Sequence, residues 1–284
     1  MRSLLFVPAD SARKLARGLE SGADALILDL EDSVAAANRG VARRQAREFL
    51  DAHGPAGGAG RIRRYVRVNP LGSGIALDDL AATVPGRPEG ILLPKCVPED
   101  VRTLDHYLSA FEASAGAPVG AIRIIAIATE TPAGVFALGG YVGVSPRLEA
   151  ITWGAEDLSA SIGGSNRTID GEYDGPYRLA RSLCLLAASA AEIVAIDTIY
   201  TDFKDDAGLR AESLAARRSG FTAKMAIHPA QLAVINDAFS VSAAERVIAA
   251  FAAQPDSGTL ALDGKMIDKP HLVLARRLLG LGPT

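Results

Sequence analysis

Two acidic residues, Glu130 and Asp157, lie just beyond short apolar segments of the chain. Residues 124–128 read Ile-Ile-Ala-Ile-Ala, and residues 150–153 read Ala-Ile-Thr-Trp. Such runs predict buried strands, and α/β proteins keep their active sites beyond the carboxyl ends of strands. Two carboxylates there, with few His or Cys nearby, suit Mg²⁺ rather than zinc. The alternative is that both are solvated loop acids or helix caps.

Other polar residues follow other apolar runs. Arg67, in Val-Arg-Val-Asn-Pro, could hold a substrate carboxylate through two parallel hydrogen bonds, or it could form a structural ion pair with a nearby acid. Asp29, Glu31 and Asp32 add carboxylates that could orient metal ligands from an outer shell. Lys95 could be a Schiff-base lysine, but we favour a charge-balancing ion pair, because a metal with an arginine already supplies the electrophile.

Strand-like and helix-like segments alternate along the chain, and these are the elements that must position the polar residues. Eight strands in such an alternation predict a (β/α)₈ TIM barrel, with a doubly wound sheet as the alternative. The predicted strands are 4–7, 25–30, 65–68, 91–93, 124–128, 150–153, 193–196 and 224–227. The predicted helices are 11–20, 41–52, 98–113, 176–190, 208–218 and 229–253, and the segments 77–84 and 131–141 are left unassigned.

The polar residues at the strand ends recur at a regular spacing. The gaps run from 157 − 130 = 27 to 197 − 157 = 40 residues, close to the roughly 31 residues of one βα unit in a barrel of about 250. We therefore expect a ring of side chains at the carboxyl-terminal mouth, covered in part by the loop 163–167. The members of the ring are Asp29, Arg67, Lys95, Glu130, Asp157, Asp197 and His228.

The length of 284 residues accommodates one barrel and a tail. We predict a catalytic barrel over 1–255 and a C-terminal lid or oligomerisation segment over 256–284, with a flexible glycine-rich loop at 54–60. The net charge of −3 and the lack of a basic tract argue against general nucleic-acid binding. Two cysteines cannot form a disulfide framework, and we find neither a signal peptide nor a membrane-spanning stretch, so we expect a cytoplasmic protein that does not bind membranes.

Eight short motifs in sequence order closely resemble the citrate lyase β-subunit-like group of the HpcH/HpaI aldolase and malyl-CoA lyase family. The resemblance covers nearly the whole chain, and its strength lies in the order of the motifs rather than in any one of them. The motifs are Arg-Ser-Leu-Leu-Phe-Val-Pro (2–8), Asp-Leu-Glu-Asp-Ser-Val (29–34), Val-Arg-Val-Asn (66–69), Leu-Pro-Lys (93–95), Glu-Thr-Pro-Ala-Gly (130–134), Trp-Gly-Ala-Glu-Asp-Leu (153–158), Ile-His-Pro (227–229) and Asp-Gly-Lys-Met-Ile-Asp (263–268).

The resemblance implies a Mg²⁺-dependent TIM-barrel lyase, in which Mn²⁺ could substitute. Such an enzyme cleaves or forms a C–C bond in a 3-hydroxyacyl-CoA thioester such as citramalyl-CoA or malyl-CoA, giving a 2-keto acid and acetyl-CoA. By resemblance, Glu130 and Asp157 are the metal ligands and Arg67 binds the carboxylate end of the substrate. If a helix begins at Ala155, the backbone N–H groups of Ala155, Glu156 and Asp157 could bind the keto-acid carboxylate.

The resemblance also assigns roles outside the predicted metal site. Asp268 matches an acid that the C-terminal segment carries into a neighbouring subunit's active site, which implies a homo-oligomer, a trimer or hexamer, with shared sites. Asp268 could instead be a helix N-cap ahead of Pro270. Pro8, Arg13 and Lys14 lie, with a looser match, where family members contact coenzyme A.

Four alternatives to the acyl-CoA lyase stay open. They are a malyl-CoA thioesterase, the subunit of citrate lyase that acts on a thioester of an acyl carrier protein, an aldolase for a free hydroxy-keto acid, and a non-catalytic CoA-binding paralogue. The intact set of Glu130, Asp157, Arg67 and Asp268 argues against the paralogue.

Overall fold

A computed structural model describes residues 1–54, 62–240, 242–255, 257–262, 264–279 and 281. The predicted glycine-rich loop, apart from Gly54, and the motif residue Asp263 lie outside this part of the chain.

Eight parallel strands close into a barrel in sequence order, β1 to β8, with β1 paired to β8. The predicted TIM barrel is therefore confirmed, and each predicted strand is found with ends that differ by no more than two residues. The strands are β1 Ser3–Pro8, β2 Ala25–Asp29, β3 Arg63–Arg67, β4 Gly90–Leu93, β5 Arg123–Ile127, β6 Leu148–Thr152, β7 Val194–Asp197 and β8 Ala223–Ala226.

Helices follow the strands and surround the barrel. They are α1 Ala12–Leu19, α2 Arg39–His53, α3 Ala76–Thr83, α4 Pro98–Ser114, α5 Pro132–Ala137, α6 Ala155–Ile162, α7 Gly175–Ala190, α8 Asp206–Ser219 and α9 Leu232–Ala238. The helices α3 and α5 occupy the two segments that the sequence left unassigned. The single helix predicted over 229–253 is wrong, because a short 3₁₀ turn, α9 and α10 (Ser242–Ala253) share that span. The break after α9 falls near Ser240, a residue type that favours helix ends over helix interiors.

The pleat of each strand decides which way a residue at its end points. Successive side chains alternate between the barrel interior and the layer under the helices. Ala25 and Ile27 belong to the interior cluster, so Asp29 shares their face. Ile196 also belongs to the interior, and Asp197 therefore faces the helices. Two acids at equivalent strand ends thus enter different environments.

The C-terminal part of the chain has a small core of its own. Strands β9 (Thr259–Leu262) and β10 (Lys265–Asp268) form an antiparallel hairpin ahead of α11 (Lys269–Leu278). Phe251 of α10 packs with Leu260 and Ile267 of the hairpin. The sequence did not predict this hairpin, and the domain boundary after residue 255 and the function of the tail as a lid stay predictions. Within the described ranges, every helix is too short or too polar for a membrane crossing.

Candidate active site

A cavity of about 210 Å³ opens at the carboxyl ends of the barrel strands. Its floor includes interior side chains from three strands, Phe6 of β1, Ile127 of β5 and Met225 of β8. Its polar wall brings together residues that are far apart in sequence, namely Asp29, Arg67, Glu130, Glu156 and Asp157. Four side chains of the predicted ring, Asp29, Arg67, Glu130 and Asp157, therefore converge on one cavity.

Arg67 is fixed by two carboxylates. Its Nε and Nη2 donate to the two oxygens of Asp29 at 2.7 and 2.6 Å. Its Nη1 lies 2.9 Å from Glu31 Oε2, an ion pair without hydrogen-bond alignment, since that oxygen has no hydrogen-bond partner among the described residues. The guanidinium also lies 4.8 Å from the ring centroid of Phe6. Asp29 thus holds one edge of the guanidinium. A guanidinium has five N–H groups, so donors remain for a ligand in the cavity.

Glu130 is buried just beyond β5 and is only 3% exposed. One of its oxygens, Oε2, accepts a hydrogen bond from the backbone N–H of Lys95. A Cβ atom at position 154 would lie 2.6 Å from Glu130 Cγ, so only glycine at that position leaves room for the carboxylate. Burial and the nearby charge of Asp157 raise the pKa of Glu130 well above its usual value. A cation beside Glu130 would therefore relieve an unfavourable buried charge.

Asp157 lies in the first turn of α6, and this helix begins at Ala155. The first N–H groups of a helix have no partner within it and favour negative charge. Asp157 is less buried than Glu130, with 31% of its side chain exposed. Its neighbour Glu156 accepts a hydrogen bond of 2.8 Å from Asn166, so the loop 163–167 reaches the edge of the cavity.

Lys95 connects the acids of the mouth to one another. Its ammonium group donates to Glu31, lies 2.9 Å from Asp32 and lies 3.3 Å from Asp157 Oδ1. Although burial disfavours the charged form, hydrogen bonds to Glu31 and Asp32 raise the pKa of Lys95 above its usual value. A Schiff-base lysine needs a neutral amine, so these contacts support the expected ion pair instead.

Negative charge is in excess at the mouth. We define the mouth network as five carboxylates and two cationic groups: Asp29, Glu31, Asp32, Glu130, Asp157, Arg67 and Lys95. Within the described residues there is no cluster of three or more His, Cys, Asp or Glu that could enclose a metal. Two carboxylates, such as Glu130 and Asp157, could supply part of the oxygen donor set that Mg²⁺ accepts, with water and substrate completing it.

The sequence pattern of the HpcH/HpaI aldolase/citrate lyase family matches residues 2–229. The chain belongs to this family. It is 35% identical to a (3S)-malyl-CoA thioesterase of Cereibacter sphaeroides over 98% of this chain and 93% of that protein. It is 33% identical to the mitochondrial citramalyl-CoA lyase of Homo sapiens over 100% of this chain and 86% of that protein. The structure is similar to that of CitE from Mycobacterium tuberculosis in complex with magnesium, acetoacetate and coenzyme A, with a TM-score of 0.74, 32% identity, and coverage of 98% of this chain and 97% of that one.

Asp197, which was expected in the ring of this HpcH/HpaI family member, does not line the cavity, and that expectation is wrong. It is fully buried between the barrel and the helices, where its carboxylate accepts from Trp153 Nε1 at 2.8 Å, Arg181 Nε at 3.0 Å and Lys224 Nζ at 2.8 Å. Burial opposes ionisation, but Lys224 and Arg181 outweigh it and lower the pKa of Asp197 to about 2. This acid is a structural anchor for Trp153, which itself lines the cavity.

His228 was also expected in the ring, and it too lies outside the residues that line the cavity. Its side chain accepts from the backbone N–H of Ala230 in the 3₁₀ turn Pro229–Gln231. Its ring stacks on Phe203, with centroids 4.8 Å apart. His228 therefore acts as the N-terminal cap of this 3₁₀ turn.

Of the residues to which the resemblance assigns roles outside the metal site, some line the cavity and others do not. Pro8 lines the cavity, whereas Arg13 and Lys14 are exposed in the first turn of α1. Asp268 does not line the cavity of its own chain, and its Oδ1 lies 2.5 Å from Nδ1 of His271 in α11. Those contacts match the helix cap that was the alternative for Asp268 and leave its role toward a neighbouring subunit a prediction.

Thr152 is a lining residue that the sequence analysis missed. It ends β6 on the interior face, is 1% exposed, and its hydroxyl has no hydrogen-bond partner among the described residues. An unpaired buried hydroxyl is costly unless a ligand or water meets it. The signal was available in the sequence, since Thr152 is the one polar residue in the run 150–153.

Proposed function

We propose that this protein is a Mg²⁺-dependent carbon–carbon lyase that acts on a 3-hydroxyacyl-CoA thioester and releases a 2-keto acid and acetyl-CoA. The observation that carries the proposal is the convergence of Glu130, Asp157 and Arg67 with the start of α6 on one cavity in a member of this family.

In this proposal Glu130 and Asp157 hold the cation through oxygen atoms. When bound, Mg²⁺ supplies a Lewis acid that polarises the 3-oxygen of the substrate and lowers the energy of the charge that develops there. The excess of negative charge in the mouth network supports a divalent cation at this position. The relative whose structure contains magnesium supports the same choice of ion.

Residues of the protein itself act on both halves of the substrate, the keto-acid half and the thioester half. Arg67, anchored by Asp29, directs its remaining N–H groups at the carboxylate of the keto-acid half. The N–H groups at Ala155–Asp157 add donors for the same carboxylate. As the 3-hydroxyl gives its proton to the carboxylate of Asp268 from a neighbouring subunit, the C2–C3 bond breaks and its electron pair moves into the thioester enolate. Asp268 of a neighbouring subunit then donates a proton to C2, which gives acetyl-CoA.

The charge of the cavity favours a keto acid with a single carboxylate. Among the described lining residues Arg67 is the only cationic one, and it already faces Asp29 and Glu31. A second carboxylate would lie against the apolar floor or against the acids of the mouth network, where it would be buried without a partner. This supports a malyl-CoA or citramalyl-CoA substrate over a citryl thioester.

A second candidate is a thioesterase for malyl-CoA, because the (3S)-malyl-CoA thioesterase is similar over nearly the whole chain. The same site would then bring water to the thioester carbonyl, and the products would be a hydroxy acid and free CoA. The C–C bond stays intact in that reaction, so product analysis separates it from the lyase.

The test is an assay of the purified protein with Mg²⁺ and the thioesters of citramalate, malate and citrate. The proposal predicts keto acid and acetyl-CoA from the first two, in equal amounts, with loss of turnover on chelation of the metal. Hydroxy acid with free thiol would identify the thioesterase instead. Binding of CoA thioesters without turnover would contradict both enzymes.

We further propose that the protein works as a homo-oligomer in the cytoplasm. Two observations support this: Asp268 does not line the cavity of its own chain, and both cysteines, Cys96 and Cys184, are free and buried. A tail that completes a neighbour's site would also exclude water from the enolate.

A further inference from the structure

Lys95 contacts both residues to which the proposed function assigns the cation. Its backbone N–H donates to Glu130, and its ammonium lies 3.3 Å from Asp157 Oδ1. We propose that Lys95 is a positioning residue that holds both carboxylates ready before the metal binds, and that its ammonium competes with the metal for Asp157. The inference rests on the proposed function, because it takes Glu130 and Asp157 as the metal ligands.

The backbone contact depends on an unusual conformation. Lys95 has φ = +49°, in the left-handed region that residues with a side chain rarely adopt. Such a conformation persists where its surroundings fix it, and it is common at functional sites. Here Cys96 Sγ donates back to the carbonyl of Leu93 at 3.4 Å and closes the turn. The turn directs the N–H of Lys95 from the end of β4 toward Glu130 beyond β5.

The ammonium group of Lys95 contacts three carboxylates at unequal distances. The ammonium has three N–H groups, and its partners are Glu31, Asp32 at 2.9 Å and Asp157 at 3.3 Å. The contact to Asp157 is the longest, so it is the one released at least cost while Glu31 and Asp32 retain the ammonium. A cation bound at Asp157 would then lie near a retained positive charge.

This arrangement couples metal binding to substrate binding. A monovalent and a divalent cation a few ångströms apart repel strongly even at the effective dielectric constant of a protein surface. Two carboxylates alone therefore hold Mg²⁺ weakly in the presence of Lys95. The oxygens of the substrate, with its own negative charge, supply the missing ligands and offset the repulsion, so the metal binds tightly only together with substrate.

The test is calorimetric titration of the metal-free protein with Mg²⁺, without substrate. Lys95→Gly removes the ammonium, but glycine adopts the left-handed turn without strain, so the backbone contact to Glu130 is kept. Lys95→Arg retains the charge. Arg218→Gln removes an exposed positive charge in the last turn of α8, at the opposite end of the barrel, as a matched control.

We expect Lys95→Gly to bind Mg²⁺ at least about tenfold more tightly than the wild type, with Lys95→Arg and Arg218→Gln close to the wild type. The tightening of Mg²⁺ binding by a keto acid such as pyruvate should shrink in Lys95→Gly by a similar factor. Unchanged or weaker Mg²⁺ binding by Lys95→Gly would overturn the inference, as would equally tight binding by Arg218→Gln. Failure of the proposed function itself has another signature, since the wild type would then bind no Mg²⁺ even with keto acid and would cleave no thioester.

Discussion

Two charged networks lie within the same barrel. They differ in the ratio of carboxylates to cationic groups and in whether they border the cavity. The mouth network has five carboxylates and two cationic groups and borders the cavity. We define the sealed network as the two carboxylates and three cationic groups that connect the barrel with α7, α8 and the loop 163–167: Asp197, Glu212, Lys224, Arg181 and Arg167. Asp197 and Lys224 are fully buried there. Because an acid with every oxygen paired has little left to offer a ligand, we infer that the sealed network supports the fold and the mouth network supports chemistry.

The largest expected effect is that of Asp157→Ala in the mouth network. Removing one of two proposed metal ligands should lower kcat by at least about 1,000-fold, or about 4 kcal/mol of transition-state stabilisation. Stability should not fall, because the variant removes one charge from an excess of like charge. Asp206→Ala, which removes an exposed acid from the first turn of α8, is the matched control and should keep its activity. Near-normal, metal-dependent turnover by Asp157→Ala would remove it from the metal site.

Lys224→Met should have the reverse profile in the sealed network. It leaves Asp197 buried with fewer partners, and breaking such a pair costs about 3–5 kcal/mol of folding free energy. Urea unfolding measures this loss, while kcat of the folded fraction should change far less than in Asp157→Ala. If Lys224→Met lost activity at unchanged stability, the division between the two networks would be wrong.

Arg67→Lys should lower kcat/KM by about 100-fold, or about 2.7 kcal/mol. Lysine keeps the charge but cannot hold Asp29 with two parallel bonds while donating to a substrate carboxylate. Steady-state kinetics with the thioester that proves active provides the measurement. Wild-type values for Arg67→Lys would exclude the proposed role.

The sealed network should also appear in the pH dependence of stability. The pKa of Asp197 falls from its usual 3.8 to about 2 in the folded protein, a difference worth about 2 kcal/mol. Because this pKa is lowered by folding, the stabilisation is present above about pH 4 and is lost as the pH falls toward 2. Urea unfolding at several acidic pH values should show a smaller loss in Asp197→Asn than in the wild type. Equal slopes in both proteins would contradict the assignment.

The smallest expected signal comes from mixing two inactive variants. The sealed network is complete within one chain, whereas we propose that the mouth network needs Asp268 from a neighbour. Asp268→Asn subunits mixed with Glu130→Ala subunits should regain a fraction of wild-type activity, because some sites would receive one intact barrel and one intact tail. If the subunits exchange, as followed by labelled chains, and no activity returns, Asp268 is a helix cap only.

The sequence predicted the barrel and most of the mouth because both depend on local patterns. Eight apolar runs in alternation with helices specify the closed sheet, and Glu130 and Asp157 follow two of those runs. Asp197 was wrongly placed in the ring because the spacing of residues along the chain predicts where a strand ends. It does not predict whether the last side chain faces the barrel interior or the helices. The period of two could have corrected this, since Asp197 follows the interior residue Ile196 whereas Asp29 lies two residues after the interior residue Ile27.

Other features depend on contacts between distant segments, and no local pattern gives them. The left-handed turn at Lys95 is stabilised by Glu130, 35 residues later. The hairpin of β9 and β10 has a core that includes Phe251 of the preceding helix, and its turn contains Gly264 at φ = +73°. The glycine is visible in the sequence of the tail, but the pairing of β9 with β10 is not.

We propose that the mouth network, with its excess of carboxylates, binds the cation, and that the sealed network, with its excess of cationic groups, does not. Electron paramagnetic resonance with Mn²⁺ in place of Mg²⁺, in the presence of keto acid, measures this for the wild type, Asp157→Asn and Asp197→Asn. We expect one bound Mn²⁺ per chain in the wild type and in folded Asp197→Asn, and weak or absent binding in Asp157→Asn. Retention of Mn²⁺ by Asp157→Asn with loss from Asp197→Asn would contradict it.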